Sequence, residues 1–191
     1  MQSMVPKILP IAAPKYCVTA MLFHWLLALM IAFALALGWY MSDLPLSLAR
    51  IRLFNWHKWL GMSIMLIATL RLVWRLGNPA PPLPQSMRRW EAGAAHLTHL
   101  LLYLLFFAVP LIGWARSSAG GFPIVYFGRL PLPDFVGKDA ALAQILKQAH
   151  AVCAYAFALL VVLHLAAALK HALIDKDGVL SRMIPDWLSK A

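Results

Sequence analysis

The chain has 191 residues, 62% of them apolar and only 13% charged, and a formal net charge of +10. Soluble domains run about 45–50% apolar and roughly 25% charged, so a soluble globule is excluded and a single integral membrane domain over 1–191 is expected. The basic residues are spread over segment ends and not gathered on one module, which argues against nucleic acid as a partner.

Residues 1–15 read as a short tail. Cys17–Met41 is the first of four runs that reach the roughly 20 apolar residues needed to cross a bilayer. It carries His24–Trp25 in its first turns and ends at Gly38–Trp39–Tyr40, an interfacial aromatic cluster. A signal-peptide apolar region is about 7–15 residues long; this run is longer, so a retained helix is expected. Leu53–Trp74 follows, with Trp56–His57–Lys58–Trp59 at one end and Arg71 and Arg75 at the other.

The segment from Asn78 to Pro84 holds four prolines and must be a stiff extended linker. The third run, Ala94–Ala115, has His96 and His99 near its start and is expected to close near Pro110 and Gly113. The connection from Ser117 to Asp139 is the longest, and its Gly- and Pro-containing turns predict that it folds back over the outer mouth. Leu142–Leu173 completes the set and carries His150, His164 and His171. The runs are continuously apolar and do not alternate, which indicates helices and not a barrel. The fold class is all-α, a transmembrane four-helix up-and-down bundle.

Four spans put both termini on one side. Ten of the seventeen Lys and Arg fall there, so the positive-inside rule places both termini in the cytoplasm. The opposite face holds Arg50, Arg52, Lys58, Arg116, Arg129, Lys138 and Lys147 against Asp43, Asp134 and Asp139. That excess either draws in small anions or tethers lipid headgroups.

Histidine inside hydrocarbon is costly and marks function by default; the plainer alternative is hydrogen-bonded glue between helices. Geometry separates the two. His150 and His164 are fourteen residues apart, about 21 Å along one helix and within about 40° of the same face. In an up-and-down bundle His24 is level with His164, and His57 with His150. Two imidazole pairs, one near each membrane face, are what two stacked haems would need, and bundle cores are where such cofactors sit. The sequence lacks a C-x-x-C-H motif, so the haems would be b-type and non-covalent. Cys17 and Cys153 lie near opposite faces and are not expected to pair. Two axial imidazoles saturate an iron, which points to electron transfer and not to oxygen activation.

Further candidates surround these pairs. Arg71, fourteen residues after His57, either pairs with haem propionates or snorkels to the interface. His171 either gives a proton to a reduced quinone or is a solvated helix-end residue. His96 and His99 either shape the inner haem pocket, for instance by holding a propionate, or are plain interfacial residues. Lys58, beside His57, is a candidate for guiding an anion to the outer haem.

The stretches Leu22–Leu26, Asn55–Lys58, Ala95–His99, Tyr126–Pro133, Leu163–His171 and Ile174–Leu180 together resemble the bacterial cytochromes b561. These are small di-haem membrane cytochromes related to the cytochrome b subunits of hydrogenases and formate dehydrogenases. The likeness runs from about Tyr16 to Pro185. It implies that His24, His57, His150 and His164 are the axial ligands and that the protein sits in the bacterial inner membrane. Because a family member is a superoxide oxidase, it also implies electron transfer from periplasmic superoxide to ubiquinone. The alternative is a membrane anchor relaying electrons between quinone and a separate dehydrogenase or periplasmic redox partner protein.

Overall fold

The computed structural model describes residues 15–84 and 87–185; Lys7 and Lys190, counted in the orientation argument, lie outside them. Four helices dominate: α1 (Val18–Ser42), α2 (Leu48–Gly77), α3 (Arg89–Ala119) and α4 (Ala140–Lys170). All four are long and apolar enough to cross a membrane.

Most helix ends overrun the apolar runs, because polar caps carry them beyond the hydrocarbon. Ser47 Oγ accepts from Arg50 N at 3.2 Å at the start of α2, and Asp139 Oδ1 from Leu142 N at 3.0 Å at the start of α4. These are ordinary N-caps. The largest surprise is α3, which continues through Pro110 and Gly113 to Ala119. Proline there removes the hydrogen bond to the Phe106 carbonyl, a loss that neighbouring helices in a membrane bundle accommodate.

We call the end carrying Lys15 and Pro185 the inner end. Helix α3 packs closely along α4, α1 along α2, and α2 along α3. The backbone of α4 makes at most a glancing approach to α1 and α2, so a gap runs between them that only side chains cross.

Seven residues advance a helix by about 10.5 Å and return it to within about 20° of the same face. Each helix repeats a stripe at this spacing: His24–Ile31–Gly38, His57–Ile64–Arg71, His99–Phe106–Gly113 and His150–Phe157–His164. Assembled, they form three layers. The middle layer is Ile31, Ile64, Phe106 and Phe157, all buried and all members of one core cluster; Phe106 and Phe157 meet edge to face at 5.4 Å. Above it lie Gly38, His57, Gly113 and His150. Below it lie His24, Arg71, His99 and His164. An apolar plug thus separates two polar layers.

The long outer connection does fold back. Its two-residue strands β1 (Val125–Tyr126) and β2 (Leu130–Pro131) pair antiparallel. Trp59 Nε1 donates to Val125 O at 2.7 Å, Lys58 Nζ to Phe122 O at 2.9 Å, and Ser63 Oγ meets the Tyr126 hydroxyl at 2.7 Å. Replacing Trp59 by Phe is expected to cost about 1 kcal/mol of local stability. Hydrogen exchange should then quicken across 122–131 and stay unchanged in the four helices.

At the inner end α4 continues for one π turn, His171–Asp175, and the chain reverses at Lys176 and Gly178, both at positive φ. A 3-10 turn, Leu180–Met183, then crosses to α1. Arg182 is buried and donates to the Pro82 carbonyl at 2.6 Å, while Trp25 Nε1 donates to Met183 O at 2.8 Å. These bonds strap α1, the proline linker and the C-terminal segment together. Cys17 and Cys153 are both free thiols.

Candidate functional site

The imidazoles of His57 and His150 face each other across the gap with ring centres 6.1 Å apart and planes at 80°. Those of His24 and His164 do the same at 6.1 Å and 64°. Metal–imidazole bonds run about 2 Å. Two such bonds, plus the distance from each nitrogen to its ring centre, add to roughly 6 Å. Each pair is therefore spaced as two imidazoles on opposite sides of one metal ion. The spacing also lies within the ordinary range of edge-to-face rings, about 4.5–7 Å; what packing alone does not require is its recurrence in both layers on the two histidines of α4.

In the outer layer two glycines make room for the paired imidazoles. A Cβ placed on Gly38 would stand 3.2 Å from His57 Cε1, and one on Gly113 would stand 3.1 Å from His150 Cε1. Both rings lie against bare backbone. His150 Nδ1 is 3.0 Å from the Val109 carbonyl. Since a carbonyl can only accept, Nδ1 carries the proton and Nε2 is left with its lone pair for a metal. His57 Nδ1 is buried without a hydrogen bond of good geometry, with the Ala34 backbone of α1 beside the ring.

The inner layer is more polar. Arg71 Nη1 lies 3.3 Å from His24 Nδ1, and the His99 ring is 5.3 Å from that of His164. Arg71 and His99 take the inner-layer places that His57 and Gly113 fill in the outer one. His96, one turn before His99 on α3, is exposed and not part of this buried cluster.

His171, one heptad beyond His164, is buried and not solvated: its Nδ1 lies 2.7 Å from Asp177 Oδ2 and 3.1 Å from Asp175 Oδ2. Lys170 beside it bridges Glu91 at 2.8 Å and Asp175 at 2.6 Å. Lys58 lies at the outer mouth as expected, but there its ammonium holds the Phe122 carbonyl.

The sequence profile of the prokaryotic cytochrome b561 family matches residues 15–186. This chain belongs to that family. It is 36% identical over 182 residues to "Cytochrome b561 homolog 2" of Escherichia coli (strain K12), covering 89% of this chain and 91% of the relative. It is 32% identical over 176 residues to "Probable superoxide oxidase CybB" of Yersinia pestis, at 90% and 96% coverage. "Cytochrome b561 homolog 1" of E. coli (strain K12) is 28% identical over 177 residues, at 90% and 97% coverage. The chain is thus a membrane electron-transfer protein of a family that carries b-type haem.

Sequence reasoning missed Gly38, Gly113 and the Val109 carbonyl as the groups that seat His57 and His150 in the outer layer. The two glycines were legible in principle, since each lies two heptads from a histidine on its own helix.

Proposed function

We propose that His57 with His150 and His24 with His164 hold two b-type haems, and that the protein is a superoxide:ubiquinone oxidoreductase of the bacterial inner membrane with cytoplasmic termini. The observation that carries the reading is the pair of equal 6.1 Å imidazole gaps, one in each polar layer. The relative named as a probable superoxide oxidase supports the choice of substrate, as does the basic outer face.

Haem, when bound, would supply reversible one-electron chemistry at its iron. Two superoxide anions give up one electron each and leave as oxygen; one quinone takes two electrons and two protons and leaves as quinol. The chain's own groups do the rest. The outer basic residues attract the anion, with Lys58 nearest His57 in sequence. The Ile31–Ile64–Phe106–Phe157 layer keeps water out of the path between the two centres. Arg71 is placed to hold a propionate of the inner haem, and His99 to shape that pocket. His171, oriented through Nδ1 by Asp177, is the candidate proton donor to the quinol oxygen at the inner mouth.

Stopped-flow mixing of the oxidised protein with superoxide tests this. Haem reduction faster than in an unrelated bis-histidine cytochrome is expected, with quinol formed when ubiquinone is present. His171→Ala should leave the first phase intact and slow the second by about tenfold or more, up to the roughly 10²–10⁴-fold that general acid catalysis contributes. Absence of fast reduction, together with a soluble redox partner that co-purifies, would establish the relay reading in its place.

A further inference from the structure

Four arginines gather in two pairs, one at each end of the bundle. At the outer end Arg50 of α2 and Arg116 of α3 lie over one ring, Phe54, with Cζ 5.4 and 5.9 Å from its centre. At the inner end Arg71 and Arg75, one turn apart on α2, lie over Tyr103 of α3, each with Cζ 5.9 Å from the centre. None of the four has a carboxylate partner among the described residues, where the ion pairs are those of Lys170 and His171.

An aromatic face attracts each guanidinium weakly and leaves the repulsion between two of them in place. Such a pair needs an anion with more than one oxygen, which is what the fork of a guanidinium is shaped to hold. The buried Tyr103 hydroxyl lies within hydrogen-bonding reach of Arg71, and its own proton adds a neutral donor to the inner pair.

Position identifies the anion. Arg50 is one heptad outward from His57, and Arg116 lies three residues outward from Gly113, which backs His150. Arg71 is in the inner layer itself, and Arg75 lies one turn nearer the inner end. An arginine can only donate, so it holds His24 Nδ1 only while that nitrogen accepts. Once His24 ligates iron through its other nitrogen, Nδ1 carries a proton and Arg71 turns to another acceptor.

On the bis-histidine reading above, we propose that Arg50 with Arg116 clamps the two propionates of the outer haem and Arg71 with Arg75 those of the inner haem. Each haem then points its carboxylates toward its own membrane face. Four propionates match four arginines that have no carboxylate partner among the described residues.

Redox titration of the purified two-haem protein tests the assignment, with each haem identified by its loss in His57→Ala or His24→Ala. Arg116→Gln and Arg50→Gln should each favour oxidised outer haem about tenfold, a fall of about 59 mV for one electron. The inner midpoint should hold. Arg75→Gln should do the reverse, and Arg116→Lys should recover much of the shift. Selective loss of the haem at the mutated end supports the clamp equally. If Arg116→Gln does not fold, Arg50→Gln decides. Unmoved midpoints, or equal movement of both, overturn the proposal. A slower reaction with superoxide at unchanged midpoints overturns it too, and assigns the outer pair to substrate. Should the histidine variants not remove haems one at a time, it is the ligand reading that fails.

Discussion

Replacing His150 by alanine is expected to yield a folded protein with one haem per chain, the inner one, and to abolish electron transfer from the outer face. His164→Ala should give the mirror result. The asymmetry follows from the layers. His150 and His164 belong to one helix but meet partners on different helices, α2 and α1, with the Ile31–Ile64–Phe106–Phe157 plug between them. An imidazole removed from one layer leaves the other layer's contacts untouched, and sites this far apart behave independently. Haemochrome absorbance should fall by half in each variant, while His171→Ala keeps both haems because its ring is tied to Asp177. Retention of both haems in His150→Ala and His164→Ala would sink the pairing.

The bundle was legible because hydrophobic length is the strongest constraint a membrane imposes. The depth of each histidine then followed from rise per residue and chain direction alone. Helix ends were less legible, since capping by Ser47 and Asp139 is decided by local hydrogen bonds beyond the apolar window. Pro110 misled for a related reason: it breaks helices in water, where the freed carbonyl costs little, but α3 continues through it to Ala119.

Residues that announce themselves by chemistry could be singled out from the sequence, and those that act by absence or by context could not. Histidines stand out in an apolar run; Gly38 and Gly113 do not. Arg50, Arg75 and Arg116 read as loop-end charges until Phe54 and Tyr103 are seen to collect them in pairs. His171 was read as either a proton donor or a solvated residue, and burial against Asp177 removes the second option. No pattern in α4 foretells that contact, because Asp177 returns to it through the left-handed turn at Lys176.

Gly113→Val is expected to expel the outer haem and spare the inner one. On propensity alone the sign would be the opposite: glycine inside a helix is about 1 kcal/mol worse than alanine. At Gly113, sterics outweigh that gain. A Cβ there would stand 3.1 Å from His150 Cε1 and 3.2 Å from Nδ1. The ring cannot simply swing aside, because Nδ1 is held by Val109 of the same helix. Overpacking typically costs about 1–3 kcal/mol, which at 1.4 kcal/mol per decade lowers outer haem affinity by roughly five- to 150-fold. Alanine should lie near the bottom of that range and valine near the top. Gly38→Ala, 3.2 Å from His57 Cε1, should resemble Gly113→Ala. Gly61 supplies the control: its added Cβ would meet only Pro110 Cβ at 3.9 Å, an ordinary contact, so Gly61→Ala should bind both haems and unfold at a slightly higher temperature. Haem titration of the four apo-proteins orders them, and equal outer-haem affinity in Gly113→Val and Gly61→Ala would show that His150 does not rest on α3 when the iron is bound.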